Sequence, residues 1–308
     1  MKNFFLILFL TLSLSTGWAQ NCDIQLVPII TPSADGNYSP QVSSYLTNRL
    51  RVLTSQTTGI SGWVSNQFAI AASYDVLDKQ IIAGAPRKIV YELSLSLFIV
   101  NINDEKIYAS YTTNLRGVGD NETKALLSAF KVLSVDNKEI ESFVKKGKQK
   151  VLDYFDSNYN NIIKSARTLS AMKNYDAAIS KLMAVPECCI GYELVLNELK
   201  QTYQAFVNQH CSENLAQAKM AWLASPNVDG ATVAGVYLSE IYPDANCYGE
   251  AMELYKEIQK KIGEQWNFVM RQWDDKIKLE QQHLQAMRDI AIAYAQSQPK
   301  EIIKIFWK

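Results

Sequence analysis

The chain contains 308 residues, of which 48% are hydrophobic and 20% are charged, as in ordinary globular proteins. Its 31 basic residues balance 31 acidic ones, which excludes the strongly basic footprint of a nucleic-acid-binding protein and argues against a surface built for anionic lipid. This length predicts about two domains.

The first twenty residues have the three-part layout of a secretory signal peptide. Lys2 precedes an apolar run over Phe4–Leu14, and small residues stand three and one positions before a cleavage site after Ala19. The run is too short for a permanent membrane helix. We therefore predict an exported protein. Lipidation of Cys22 is the alternative, although Asn21 stands where a lipobox has a small residue.

The first elements of the mature chain are predicted to be a strand, a helix and a second strand. The run Ile24–Ile30 indicates a strand, and Pro28 makes it an edge strand. Ser39 and Pro40 fit a helix cap and the first helical position. The apolar residues that follow at helical spacing are Val42, Leu46, Leu50 and Leu53, and those that alternate in the second strand are Phe68, Ile70 and Ala72.

A long hairpin gives the clearest pattern of the chain. One strand face is apolar and consists of Ile89, Tyr91, Leu93, Leu95, Leu97 and Ile99. Asn103 and Asp104 supply the turn. The returning strand alternates through Ile107, Ala109, Tyr111, Thr113 and Leu115. The period of two predicts two half-buried antiparallel strands.

The hairpin is followed by two predicted helices. Gly117 and Gly119 end the returning strand, and the pair Asp120-Asn121 caps the first helix. A second helix is expected to begin at Asp136, with Glu139 completing a capping box.

The element order over residues 24–133, together with the helix Asn-Glu-Thr-Lys-Ala-Leu-Leu-Ser-Ala-Phe-Lys-Val-Leu, resembles the small α/β domain of the CsgG, LpoB and TolB-amino-terminal group. Those are bacterial envelope proteins. The resemblance implies a fold and a location rather than an activity. A second amphipathic hairpin, of the kind that a secretion pore of that group inserts into the membrane, is not evident in this sequence.

From about residue 138 the pattern is helical, and one segment resembles a tetratricopeptide unit. The positions that match this repeat are Ala166, Leu169, Tyr175, Ala178, Leu182 and Pro186. A sequence similarity within the chain supports a repeat. The segment from Pro186 to Cys189 resembles the segment from Pro243 to Cys247. Stacked repeats of this type leave a surface that commonly binds other proteins.

The order of the helices makes a prediction about the cysteines. Helices are expected at 160–173, 175–184, 190–208, 212–224, 230–241 and from 248 onward. If neighbouring helices alternate in direction, Cys211 and Cys247 lie at the same end and form a disulfide. Cys188 and Cys189 then lie at the opposite end, and Cys22 could pair with either of them.

The last stretch is predicted to be a long amphipathic helix that Gly263 bends or breaks. It either caps the last repeat or protrudes as an arm with Trp266 and Trp273 as anchors. These two residues and Tyr175 are the candidate partner-binding residues. The apolar tail at 302–307 either docks back on the protein or binds a partner.

Catalytic patterns are weak in this sequence. The stretch from Gly117 to Lys124 lacks the complete phosphate-loop pattern. With two histidines and no Cys-x-x-Cys, a zinc site of ordinary spacing cannot be built. His283 lies among glutamines and is expected on a solvated helix face. His210 beside Cys211, at an expected turn, is the one conceivable catalytic pair.

The sequence thus predicts an α+β protein with a signal peptide at 1–20, a small α/β sandwich-type domain at 21–135 and an all-α tetratricopeptide-like domain at 136–308. We expect a non-enzymatic adaptor or scaffold without a cofactor, in the periplasm, at the outer membrane or outside the cell. Its expected partners are envelope proteins or peptides, not nucleic acid. The alternatives are a ring-forming component of an outer-membrane secretion or assembly complex, and a hydrolase with an unrecognised site.

Overall fold

The computed structural model describes residues 24–31, 39–55, 67–275 and 277–298. The predicted signal peptide, Cys22 and the apolar tail at 302–307 lie outside these residues. Within them the chain has an α+β fold, with a four-stranded mixed sheet and eight α-helices.

The sheet is formed by the N-terminal part of the chain. Its elements are β1 (Val27–Ile30), α1 (Pro40–Ser55), β2 (Phe68–Ile82), β3 (Lys88–Asn101) and β4 (Lys106–Gly119). The strands lie in the order β1-β2-β3-β4, with β1 parallel to β2 and the other pairs antiparallel. The predicted order of strand, helix, strand and hairpin is confirmed, and Pro28 lies in an edge strand as expected.

The helix α1 begins and packs as its sequence predicts. It starts at Pro40, and the Ser39 hydroxyl accepts a hydrogen bond from the backbone N–H of Val42 at 3.3 Å. Its four spaced apolar residues are all buried: Val42, Leu46, Leu50 and Leu53. Burial of this stripe against the sheet, rather than helix propensity, is what stabilises a short helix of this kind.

The hairpin of β3 and β4 differs from its prediction at one point. All six alternating residues of β3 are buried, as expected. In β4, however, Ile99 pairs with Ala109 and Val100 pairs with Ile107, which leaves Tyr108 as a bulge. A bulge reverses the side-chain alternation on one side of it. Ile107 is therefore 41% exposed, and its predicted place on the core face is wrong.

The glycines at the end of β4 allow α2 (Glu122–Ala129) to lie directly on the strand. The Asn121 side chain caps this helix by accepting from the N–H of Lys124. A Cβ atom at Gly117 would lie 2.0 Å from the carbonyl oxygen of Ala125. A Cβ atom at Gly119 would lie 2.3 Å from the backbone nitrogen of Ala125. The glycines thus serve close packing at the end of the strand.

The next helix, α3 (Lys138–Ala171), begins two residues later than predicted. Asn137, not Asp136, is its cap, and the Asn137 side chain accepts from the backbone N–H groups of Glu139 and Ile140. The capping box proposed for Asp136 and Glu139 is therefore wrong. Asn is an equally good cap residue, so the sequence offered two adjacent candidates.

Five further helices follow, and two predicted boundaries are wrong. They are α4 (Tyr175–Met183), α5 (Tyr192–Ala224), α6 (Val228–Ser239), α7 (Tyr248–Ile262) and α8 (Leu279–Ser297). The helices expected at 190–208 and 212–224 are one continuous helix, because the stretch between them contains no glycine or proline.

The predicted long C-terminal helix is interrupted. α7 ends at Ile262, and the next residue, Gly263, has a φ of +66° in the left-handed region that favours glycine. A single 3₁₀ turn (Gly263–Gln265) and an irregular segment follow before α8 begins at Leu279. Trp266 and Trp273 therefore lie in an irregular segment and not on one helix face.

The predicted disulfide between Cys211 and Cys247 is confirmed, although its setting is different from the expected one. Cys211 lies inside α5 rather than in a turn, and Cys247 immediately precedes α7. Cys189 is a buried free thiol, which rules out its pairing with Cys22. Cys188 is disulfide-bonded.

Two helix–turn–helix connections share the same backbone hydrogen bonds at an offset of 56 positions. In the α4–α5 turn, Val185, Cys189 and Tyr192 donate to Leu182, Pro186 and Cys189. In the α6–α7 turn, Ile241, Ala245 and Tyr248 donate to Leu238, Tyr242 and Ala245. Both turns lead directly into a helix that begins with tyrosine. The offset of 56 aligns Pro186 with Tyr242 and Cys189 with Ala245, so it differs from the proline and cysteine alignment expected from the sequence.

One continuous core of buried side chains runs from the sheet to α8. Phe68 of β2 meets Phe155 of α3 edge to face at 5.9 Å, which ties the sheet to the helices. Among the described helices, none has the length and apolarity needed to cross a bilayer.

Candidate functional site

A cleft of about 500 Å³ lies where the β3–β4 turn meets three helices. Its walls come from the turn, from α3, from α4 and from the C-terminal end of α8. The lining residues are Gln67, Ile102, Asn103, Asp104, Glu105, Tyr154, Phe155, Ile162, Leu169, Ala177, Ser180, Lys181, Ala184, Tyr294, Ala295 and Gln298. Concave sites at the junction of structural units are common ligand positions.

The inner part of the cleft rests on a cluster of aromatic rings. Tyr154 and Phe155, neighbours in α3, lie 5.2 Å apart between ring centroids, and Tyr154 meets Tyr108 of β4 at 5.6 Å. The ammonium group of Lys106 stands 3.1 Å above the Tyr154 ring. Burial raises the pKa of Tyr108, so this phenol stays protonated at neutral pH. The floor is thus rigid, aromatic and uncharged except at Lys106.

Gln67 is the most constrained polar residue of the cleft. It is 3% exposed, and its Nε2 donates to the carbonyl oxygen of Ala184 at 2.6 Å. Its backbone oxygen accepts from the N–H of Ile102 at 2.6 Å. The side-chain Oε1 is buried and has no hydrogen-bond partner among the described residues. A buried acceptor without a partner is costly to the stability of the fold.

The rim of the cleft carries opposite charges on opposite sides. Asp104 and Glu105 lie exposed in the β3–β4 turn, where Asn101 holds the loop by accepting from the backbone N–H groups of Asn103 and Asp104. Lys181 is exposed on α4. The residues that line the cleft include neither histidine nor cysteine. The lining offers carboxylate and amide acceptors, the ammonium group of Lys181 and aromatic rings, and this combination suits binding.

The three candidate partner-binding residues from the sequence do not line this cleft. Trp266 is 8% exposed and is stacked on Phe268 at 5.2 Å and near Tyr255 at 5.4 Å. Tyr175 is half-buried at the first position of α4 and packs against the core. These side chains hold local structure in place.

Trp273 and His283 belong to a second aromatic cluster that attaches α8. The Trp273 ring lies 5.5 Å from His283 and 6.2 Å from Tyr242. His283 Nε2 lies 3.5 Å from Asp244 Oδ2, and the His283 ring meets Tyr203 at 5.8 Å. The expected solvated position of His283 is therefore wrong, because α8 turns this face toward the rest of the chain.

The catalytic pair considered for His210 and Cys211 is not formed. Cys211 is oxidised in its disulfide and has no thiol to activate. The His210 ring instead packs on Phe206 at 4.1 Å. Among the described residues, no group of three or more His, Cys, Asp or Glu side chains is placed to hold a metal ion.

The stretch from Gly117 to Lys124 is filled by protein contacts. Asp120 pairs with Lys88 and Lys124, and these cations lower the pKa of its carboxyl group. Asn121 is occupied as a helix cap. The Asp120 and Asn121 side chains and the backbone N–H of Val118 are thus engaged by other groups of the protein.

The chain matches no known family model, no curated protein and no solved structure.

The cleft could not be found from sequence patterns. Gln67 and Ala184 are separated by 117 positions and meet only in the folded chain. The one local signal is the polar turn Asn103–Asp104–Glu105, and that pattern indicates a hairpin turn equally well.

Proposed function

We propose that this protein is a non-enzymatic adaptor that holds an extended segment of another protein in the cleft. The observation that carries the proposal is the cleft of about 500 Å³, whose lining combines aromatic rings, the carboxylates of Asp104 and Glu105 and the ammonium group of Lys181. A peptide segment carries apolar, basic and acidic groups that match these three kinds of lining residue. The aromatic floor accepts an apolar side chain of the same segment.

The charges at the rim favour a peptide over a small apolar ligand. Asp104 and Glu105 would attract a basic side chain or an amino group of the segment. Lys181, on the other side, would attract a carboxylate. A segment that crosses the cleft between the two sides would meet both.

The proposed location is the bacterial cell envelope, in the periplasm or at the outer membrane. Disulfides persist in oxidising compartments, and the Cys211–Cys247 bond fits an exported chain. The signal-like N-terminus and the resemblance to the CsgG, LpoB and TolB-amino-terminal group point to the same place. Envelope proteins are therefore the proposed partners.

The proposed helical repeat is supported by the shared turn geometry. The α4–α5 and α6–α7 connections repeat the same three backbone hydrogen bonds. A duplicated tetratricopeptide-like pair of hairpins would explain this recurrence. In that arrangement the repeat region supplies one wall of the cleft through α4, and the sheet supplies the other.

Site-specific photocrosslinking in cells tests the adaptor proposal. A photoreactive amino acid is placed at Ser180 or Ala295, which line the cleft, and for comparison at Gln217, which is exposed on α5. We expect one or a few defined envelope-protein adducts from the two cleft positions and none of these from Gln217. Ser180→Trp, which fills the cleft, should abolish the adduct formed from Ala295.

The same adducts from all three positions, or no adduct from the cleft, would contradict the proposal. Light scattering on the purified protein separates it from the ring-forming alternative. A large cyclic oligomer without a partner would favour the ring, whereas an adaptor has no need of one.

A further inference from the structure

The outer edge of β2 is covered along only part of its length. β1 pairs with β2 from Ala69 to Ala72, and the backbone N–H of Thr31 adds one bond to the Ala72 oxygen. β2 then continues to Ile82 while paired with β3 on its inner side. Among the described residues, no strand pairs with the outer side of β2 from Asp75 to Ile82.

One face of this edge is apolar. Val76 lies opposite Leu93 of β3, and Ile81 lies opposite Ile89, so both point to the same face as the buried side chains of β3. At the edge of the sheet they are nevertheless 51% and 62% exposed. Two branched apolar side chains therefore flank an unpaired backbone.

The other face of the edge carries two carboxylates. Asp75 lies opposite Ser94, and Asp78 lies opposite Glu92 of β3. Glu92 in turn lies opposite the exposed Arg116 of β4, so Asp75 and Asp78 are the carboxylates at the edge itself. The nearby Lys79 points to the apolar face. There its ammonium group pairs with Glu122 of α2, so its charge is already matched.

We propose that this edge binds an extended segment of a partner protein by strand addition, and that the segment alternates apolar with basic side chains. Its backbone would pair with the outer N–H and C=O groups of β2. Its apolar residues would lie beside Val76 and Ile81, and its basic residues beside Asp75 and Asp78.

An irregularity in β2 limits what can pair there. The register between β2 and β3 shifts between Val76 and Asp78, with Leu77 as the extra residue. Bulges on edge strands oppose indiscriminate edge-to-edge pairing. The edge therefore offers two short pairing stretches, one on either side of Leu77, and selects a segment whose side chains also fit. This surface is separate from the cleft and does not depend on its proposed function.

The probe is a fluorescent nine-residue peptide of alternating valine and lysine, titrated into the purified protein with anisotropy as readout. We expect saturable binding. N-methylation of alternate amides in the peptide removes the donors of strand pairing and should weaken binding at least about tenfold. A second peptide, of alternating valine and glutamate, should bind at most about one tenth as tightly as the valine–lysine peptide.

Charge exchange in the protein makes the test specific. The double substitution Asp75→Lys/Asp78→Lys should lower the affinity for the valine–lysine peptide at least about tenfold. It should raise the affinity for the valine–glutamate peptide. The matched control is Glu193→Lys/Glu213→Lys, which makes the same charge change on exposed positions of α5 and should leave both affinities unaltered.

Three results would overturn the inference: no binding of the valine–lysine peptide, equal binding of its N-methylated form, or equal loss in the control variant. The last two would identify simple charge attraction. Ser180→Trp, which blocks the cleft, should not change peptide affinity, so the outcome here is distinct from that of the crosslinking experiment.

Discussion

Cys211 and Cys247 link the interior of α5 to the residue that precedes α7, across 36 positions of sequence. The bond encloses the end of α5 and the whole of α6 in one covalent loop. It therefore restrains the unfolded chain in the region of α6 and of the turn between α6 and α7.

Removal of this bond should destabilise the protein. Cys211→Ala/Cys247→Ala is expected to lower the free energy of unfolding by about 2–4 kcal/mol, because a loop of this size is costly to close without the cross-link. Urea denaturation followed by circular dichroism measures the change. Cys189→Ala is the control, since it removes a buried thiol without breaking a bond, and it should cost about 1 kcal/mol. Equal losses in the two variants would argue against a stabilising role of the bond.

The contact of β4 with α2 should not tolerate a methyl group. Gly117→Ala places a Cβ atom 2.0 Å from the Ala125 carbonyl oxygen, and we expect a loss of about 2–3 kcal/mol as the helix is pushed from the strand. Gly249→Ala is the matched control, because its Cβ would meet nothing within 4 Å. That change should fall within about 0.5 kcal/mol of wild type. Thermal denaturation of both variants decides the point.

Two tyrosines of α7 should hold the irregular segment before α8. Tyr248 donates its hydroxyl to the carbonyl oxygen of Arg271 at 2.5 Å, and Tyr255 donates to that of Phe268 at 3.2 Å. The double substitution Tyr248→Phe/Tyr255→Phe removes both hydrogen bonds and keeps the two rings. Each lost bond is expected to lower the free energy of unfolding by about 0.5–1.5 kcal/mol. Hydrogen exchange should then accelerate in residues 266–275 and stay unchanged in α5. Uniform acceleration throughout the chain would instead indicate global destabilisation.

The free thiol of Cys189 should be protected in the folded protein. Burial raises its pKa to about 11, from an ordinary value of 9.0. Because the thiolate is the reactive form, native protein at pH 8 should resist iodoacetamide, and the reaction rate should rise with pH well above 9. Rapid alkylation at pH 8 under native conditions would contradict this assignment.

The same shift makes stability fall in alkali. Above pH 9 the unfolded thiol loses its proton, whereas the folded thiol keeps it until about pH 11. The unfolded state then binds fewer protons, so the contribution of Cys189 to stability is complete below pH 9 and declines as the pH rises toward 11. Comparison of wild type with Cys189→Ala over this range isolates the effect.

Local elements of this fold could be predicted because local residues decide them. The alternation from Ile89 to Ile99 defines one strand and its buried face, and Asn121 and Ser39 cap helices through side chains that reach backbone groups two or three residues away. Asn137 shows the limit of such signals, since two adjacent residues could cap α3 and the sequence does not rank them.

Features that depend on contacts between distant residues could not be predicted. The bulge at Tyr108 reverses the orientation of Ile107. It is a property of the pairing between β4 and β3, and not of the alternation within β4. The irregular segment after α7 is held by hydrogen bonds to Tyr248 and Tyr255, which lie 13 or more positions away in the sequence. The Cys211–Cys247 pairing was predicted correctly, but the geometry that achieves it was not.

The sequence by itself determined the alternation of β3, the caps of α1 and α2 and the apolar stripe of α1, because these follow from periodicity and from short-range hydrogen bonding. The tertiary structure alone decided the cleft and the exposed edge of β2. Gln67 becomes a buried acceptor only when Ala184 and Ile102 close around it, and Val76 and Ile81 stay exposed only because β1 ends at Ile30. Both sites arise from what other elements cover or leave uncovered, and no local pattern encodes that.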